Sequence, residues 1–280
     1  KQHNGGGWSD IAGTSGNTTY SETPSLSGLW EYRVEVQRGT CPVEYSTIAD
    51  ITVLDLDVRQ WSGNESTDWF TQNNWIGTIP NSTNEANIPD VSPKFYPELD
   101  GTADCQDLNI AAGATVTIKP NGALTVQNTF DNNGELIIES SAVADGSFID
   151  MGSSSGTGVV SVQRYVESER WLYISPPISD GLSGIYLDLY LKEFYEEDST
   201  WFYIVPVNIP LVPMQGYATW ASDDLTGTTK VTYSGHLNTG PQSIALTNHG
   251  GAQHNSKGFN FVGNPYPSAL NWEKASGWTK

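Results

Sequence analysis

The chain has 280 residues, with 32 acidic against 13 basic side chains and a formal net charge of -19. A field of that sign repels phosphate backbones and anionic headgroups, which excludes nucleic acid and an anionic membrane surface as natural partners. The 28 glycines and 15 prolines supply tight turns, and Leu, Ala, Lys and Glu never gather at helical spacing, so the fold class expected is all-β with many short strands.

No apolar run approaches the roughly 20 residues that cross a bilayer, so membrane insertion is not expected. Cys41 and Cys105 exclude a disulfide framework and leave either one bridge or two thiols. Lys1 in place of a methionine, and the unclosed run Ser276-Gly277-Trp278-Thr279-Lys280, lead to the expectation of an internal piece of a longer protein.

Residues 1–58 read as the C-terminal part of an immunoglobulin-like β-sandwich. Trp30, Tyr32, Val34 and Val36 alternate with polar neighbours up to the turn Gln37-Arg38-Gly39-Thr40, and Ile48, Ile51 and Val53 mark the return strand. In that fold Tyr32 would be the corner tyrosine and Trp8 the core tryptophan. Val34 stands where antibody domains carry their second Cys, so the inter-sheet disulfide is absent.

Leu54, Leu56 and Val58 alternate with Asp55 and Asp57, and the composition then turns to Asn, Trp and Pro, which places a boundary at 58. Residues 59–165 open with Trp61-Ser62-Gly63-Asn64, Asp68-Trp69 and Asn73-Asn74-Trp75, whose tryptophans are costly to leave in water and are expected to cap something. Short apolar-x-apolar bursts follow: Leu108-Asn109-Ile110, Val116-Thr117-Ile118, Leu124-Thr125-Val126, Leu136-Ile137-Ile138, Ser147-Phe148-Ile149 and Val160-Ser161-Val162. Their starts lie about 8 to 13 residues apart, with Gly or Asn in most connections, which suggests a short parallel β-solenoid. An antiparallel sandwich with short hairpins is the alternative.

Residues 166–280 are richer in aromatics: Trp171, Tyr173, Tyr186, Tyr190, Phe194, Tyr195, Trp201, Phe202, Tyr203, Tyr217 and Trp220. Strand signals recur at 171–175, 201–205, 216–221, 230–233 and 259–262, and a β-sandwich truncated at its C-terminus is expected.

Four stretches resemble the large modular surface proteins that Bacteroidetes export through the type IX secretion system. They are Tyr32-Arg33-Val34 with Gly39-Thr40-Cys41 and Ser46; Trp61-Ser62-Gly63 with Asn74-Trp75; Arg164-Tyr165-Val166 with Trp171-Leu172-Tyr173-Ile174-Ser175-Pro176-Pro177; and Gly258-Phe259-Asn260-Phe261-Val262-Gly263-Asn264-Pro265-Tyr266-Pro267-Ser268. The last is the most specific. The resemblance implies an extracellular or cell-surface location. It implies no single activity, since the family includes adhesins, gliding-related filaments and non-catalytic parts of polysaccharide-degrading enzymes.

The chemistry-bearing residues mostly have plain readings. His249 and His254 sit close in sequence, but a zinc site wants further ligands at suitable spacing, so a polar loop is expected. Gly152-Ser153-Ser154-Ser155-Gly156 has the letters of a nucleophile elbow with no helix after it, and reads as a turn. Glu196-Glu197-Asp198 beside Trp201 could suit a glycosidase carboxylate pair, yet reads as a solvated acidic turn.

Calcium is the one cofactor with a physical case, because hard cations want several carboxylate and carbonyl oxygens. Its candidates are Asp55 and Asp57, and Asp223 and Asp224; the plainer reading of the first pair is the solvent face of a strand. Trp69, Trp75 and Trp220 are candidates for stacking on sugar rings, with core packing as the default for each.

The function expected is a non-catalytic extracellular structural or adhesive segment of a bacterial surface protein, an adhesin, filament or stalk. Its partners would be other modules of the same protein, copies of it, or extracellular glycans. The alternative is a carbohydrate-binding accessory region of a secreted polysaccharide-degrading enzyme.

Overall fold

A computed structural model describes residues 1–24, 26–53, 58–222, 230–249 and 258–271. The protein is all-β, and among the described residues helical content is confined to two 3-10 turns at Gln72–Asn74 and Ser183–Tyr186. It divides into two compact units, Lys1–Val58 and Arg59–Lys280.

The first unit holds β1 (Gln2–His3), β2 (Gly28–Tyr32), β3 (Glu35–Val36), β4 (Glu44–Tyr45) and β5 (Ala49–Val53). Strand β2 is central, with β1 and β5 antiparallel on its two sides, and β3 pairs with β4 as the outer part of the same hairpin. The hairpin end includes Gly39, whose φ of 57° is left-handed. No described residue of this unit is fully buried.

Tyr32 and Trp8 therefore do other work than a sandwich core would ask of them. The Tyr32 hydroxyl donates to the Glu22 carboxylate at 2.5 Å, where it joins the Lys1 ammonium at 2.7 Å and the Tyr20 hydroxyl. Lys1, followed by the two hydroxyls, holds the Glu22 carboxyl down at about 2. Trp8 meets the Arg33 guanidinium at 4.0 Å, and Tyr45 meets the same group at 3.8 Å, so Trp8 is a cation-π partner.

The second unit begins with β6 (Val58–Trp61) and β7 (Trp75–Ile76), followed by β8 (Glu85–Ile88), β9 (Glu98–Leu99), β10 (Thr102–Ile110), β11 (Thr115–Ile118), β12 (Ala123–Asn132), β13 (Glu135–Ile138), β14 (Ser147–Asp150), β15 (Ser153–Ser155) and β16 (Val159–Tyr165). These wind into a β-solenoid of about four turns. Its first sheet runs β8, β10, β12 and then β14 with β15; its second runs β9, β11, β13, β16, and every pairing among these strands is parallel.

Side chains on a strand alternate between faces, so parallel in-register pairing stacks the inward ones into columns. Ala86, Leu108 and Phe130 form one column, and Leu99, Ile118, Ile138 and Val162 another. Val116, Leu136 and Val160 make a third, and Ala103, Leu124 and Phe148 a fourth. All of these are buried. β10 and β12 each contribute to two of these columns across a shift in register between Cys105 and Asp107, and the apolar bursts sample different columns, which is why their individual spacing is irregular. Gly134 stands at one corner, where a Cβ would overlap the carbonyl oxygens of Ala111 and Ala114.

The tryptophans of 59–75 close the first end. Trp61, Trp69 and Trp75 are buried and meet edge to face, at 5.1 Å for Trp61 with Trp75 and 4.7 Å for Trp69 with Trp75. Trp75 Nε1 donates to the Trp69 carbonyl, and Trp61 Nε1 to that of Phe95, each at 2.7 Å. Buried Asn74 is satisfied at both ends of its amide: Oδ1 accepts from the Glu65 and Ser66 N–H groups, and Nδ2 donates to Ser66 Oγ and the Asp68 carbonyl.

The remaining strands are β17 (Leu172–Ile174), β18 (Tyr190–Tyr195), β19 (Thr200–Tyr203), β20 (Tyr217–Trp220) and β21 (Lys230–Gly235). Strand β21 pairs antiparallel with β16, Tyr165 opposite Lys230 and Val160 opposite Gly235, so residue 165 lies inside a sheet to which the third segment contributes the last strand. The buried hydroxyls of Tyr186 and Tyr233 hydrogen-bond beneath it. On the other sheet, the Phe148 N–H donates to the Pro267 carbonyl at 3.0 Å. The other four strands form an antiparallel sheet in the order β17-β20-β18-β19.

Candidate functional site

Register decides what the two faces of that four-stranded sheet carry. Leu172, Thr219 and Leu191 lie opposite one another across β17, β20 and β18, and Leu191, Thr219 and Tyr217 are buried. The next row, Tyr173-Ala218-Lys192-Tyr203, crosses all four strands on the opposite face. Tyr190 opposite Trp220 and Phe194 opposite Trp201 share that face.

It is open to solvent. Trp171, Tyr173, Tyr190, Trp201 and Tyr203 are 39%, 68%, 50%, 38% and 55% exposed. The rings pack in two groups on this face: in one, Trp171 and Trp220 are 6.4 Å apart and Tyr190 and Trp220 5.3 Å; in the other, Phe194 and Trp201 are 5.4 Å apart. Tyr173 and Trp201 lie 6.4 Å apart with planes only 10° from parallel. The Lys192 ammonium is seated among them, 4.4 Å from the Trp171 ring and 4.3 Å from that of Tyr203.

Phe261 ends this layer, edge-on at 5.0 Å to both Tyr173 and Trp201. Its backbone holds it there, since its carbonyl accepts from the Gly216 N–H at 2.9 Å and Gly263 N–H donates to the Met214 carbonyl at 2.8 Å. The Gly258–Ser268 motif thus delivers a ring to the aromatic face while Pro267 reaches the solenoid.

The segment before Phe261 is tied down by Glu196, whose side chain is buried. Its carboxylate accepts from the His249 N–H at 3.0 Å, His249 Nδ1 at 2.6 Å, the Gly258 N–H at 2.6 Å and Thr247 Oγ1 at 3.0 Å. Burial works against ionisation, but these donors outweigh it and hold the group at about 2. Beside this anchor lies a cavity of about 380 Å³ lined by Glu196, Tyr217, His249 and Phe261 among others. Glu196 is therefore a buried anchor rather than part of a solvated turn, whereas Glu197 and Asp198 are exposed as expected.

Of the tryptophans expected to stack on sugars, Trp220 lies on the exposed face, half-buried between Trp171 and Tyr190. Trp69 and Trp75 do not offer a ring to solvent, because both are consumed in capping the solenoid. The calcium candidates Asp55, Asp57, Asp223 and Asp224 lie outside the described residues, as does His254. Among the described residues no three His, Cys, Asp or Glu side chains gather as a metal site.

Ser153, Ser154 and Ser155 form β15, with Ser154 bonded to Asp150 and Ser155 to Asp131, an edge strand rather than an elbow. Both cysteines are free, Cys41 exposed and Cys105 in the solenoid core. Sequence reasoning missed Tyr173, Tyr190, Lys192, Trp201, Tyr203 and Phe261 as a site. The signal available was the alternation Trp171-x-Tyr173 and Trp201-x-Tyr203, which leaves open which face looks outward.

Neither the curated proteins nor the solved structures contain a match to this chain. Residues 60–276, which take in nearly all of the solenoid and the aromatic sheet, match one family model, described as a domain of unknown function (DUF8693), and the chain belongs to that family.

Proposed function

We propose that this chain is a non-catalytic adhesive segment of an exported bacterial surface protein, with the capped solenoid as scaffold and the aromatic face as the surface that holds glycan. The observation that carries the reading is the layer of solvent-open tryptophan and tyrosine rings spread over four strands. Leaving so much aromatic area in water is unfavourable for a fold that could turn it inward, and large exposed apolar patches mark interaction surfaces. Tyr and Trp combine an apolar ring face, which packs on the C–H faces of sugars, with a polar tip that hydrogen-bonds hydroxyls.

An extracellular location is supported by the four stretches that resemble type IX secreted modules and by the acidic surface, which favours solubility. The test is affinity electrophoresis of the purified chain through gels containing soluble polysaccharides. Retardation that is weakened in Tyr173→Ala supports the reading. Mobility unchanged in every gel removes it, and release of new reducing ends from any polysaccharide overturns the non-catalytic part.

A further inference from the structure

The glycan reading leaves the ligand class open, and the chemistry of the face narrows it. We infer that the face takes an uncharged polysaccharide lying side-on across the strands, an inference that rests on the reading of the face as glycan-binding.

The first ground is the distribution of charge. The chain carries 32 acidic residues, yet the rows Tyr173-Ala218-Lys192-Tyr203, Trp220-Tyr190 and Phe194-Trp201 contain no carboxylate. Glu193 of the same strand falls in the alternate row with Tyr217 and Phe202, on the other face. The surface is thereby kept clear of groups that would hold cations there, and the phenol hydroxyls are left as the neutral donors and acceptors for sugar hydroxyls.

The second ground is Lys192. No carboxylate lies within ion-pair distance of it among the described residues, whereas Lys1 and Arg164 each have one and Lys119 has two. A polyanion repeats its charge at every sugar or every second sugar, so one ammonium meets a small part of it, while the net charge of -19 opposes the rest at long range. A single ammonium among rings suits a neutral chain, to which it donates hydrogen bonds.

The third ground is the openness of the layer. The rings lie across the sheet rather than around a hole, with Trp171 and Trp220 towards one end and Phe261 standing edge-on beyond Tyr173 and Trp201 at the other. That shape receives the flank of a polymer, not its terminus.

The experiment compares the intact chain on gels containing a neutral polysaccharide, xyloglucan or galactomannan, and an acidic one, polygalacturonate or alginate, at low and at high NaCl. The expected result is retention by a neutral polymer, insensitive to salt, weakened about tenfold in Tyr173→Ala and also weakened in Lys192→Ala. Tyr173 is the most exposed ring of the layer, so its removal leaves the core untouched, and an unchanged thermal midpoint confirms it. Retention by the acidic polymers alone, weakening with salt, overturns this inference and leaves the glycan reading standing. Retention by none of them removes both. Reversible self-association in sedimentation that Tyr173→Ala abolishes would instead assign the face to a second copy of the chain.

Discussion

The ring of Phe261 occupies the space above Gly216: a Cβ at 216 would lie 2.5 Å from the Phe261 ring, and the Gly216 N–H donates to the Phe261 carbonyl at 2.9 Å. A residue without a side chain in β20's run is what admits a ring from a distant segment into the aromatic layer. One missing methyl thus links the Gly258–Ser268 motif to the exposed face.

Gly216→Ala is expected to push Phe261 off Tyr173 and Trp201. Overfilling a packed site costs about 1 to 3 kcal/mol. Urea unfolding should show that loss, and near-ultraviolet circular dichroism should show a changed aromatic signal. A variant with wild-type stability and spectrum would mean that the ring does not depend on the glycine.

Glu196 sets a pH dependence. Its folded value of about 2 lies below the 4.5 of an unperturbed Glu, so its contribution to stability is complete above about pH 4.5 and is lost as pH falls towards 2. Amide hydrogen exchange should therefore show the His249 and Gly258 N–H groups protected at pH 6 and progressively less so below pH 4. Glu196→Gln should expose them at both pH values, and protection unchanged in that variant would remove the anchor role.

The Trp cap depends on Asn74. Asn74→Ala leaves the Glu65 and Ser66 N–H groups without their acceptor, and a buried donor left unpaired costs about 1 to 3 kcal/mol. Tryptophan fluorescence should report the loosening, by a red shift at denaturant concentrations where the unaltered chain is still folded.

Inward and outward positions of the solenoid should differ sharply. Leu136→Ala opens a hole in the column between Val116 and Val160 and should cost about 2 to 5 kcal/mol. Lys119 bridges neighbouring coils on the outside, 3.7 Å from Glu98 and 3.1 Å from Glu139, and Lys119→Ala should cost less than about 1 kcal/mol because the group is partly solvated. Equal losses in chemical denaturation would contradict the stacked-column core.

The two thiols should be separable by reactivity. Burial pushes the Cys105 thiol well up, with Asp107 and Asp104 adding to it, while Cys41 is exposed. Ellman titration should count one thiol in the native chain and two in guanidinium. Two fast thiols without denaturant would place Cys105 outside the core.

The solenoid was legible because its signal is local. Leu108 and Ile110, or Leu136 and Ile138, alternate with polar residues, and Gly or Asn between bursts marks corners, so short stacked strands follow from the pattern. The tryptophan cap was legible for a related reason, since three large apolar rings among Asn and Ser need a dry place to go. What alternation cannot say is which face of a strand is wet. Trp69 and Trp201 each follow a polar run and precede a Phe, yet one is sealed into the cap and the other opens to solvent.

The anchor at Glu196 was hidden for a different reason. In the run Glu196-Glu197-Asp198 three acids look alike, and only the arrival of Thr247, His249 and Gly258 from far along the chain singles out the first. An all-β chain with a stacked core follows from residue order without any coordinates, because strand periodicity and corner residues are written within a few residues of each other. Tertiary structure alone decided the aromatic face, because its rings come from five separate stretches whose register is set by backbone pairing between strands, and pairing is a property of the assembled sheet.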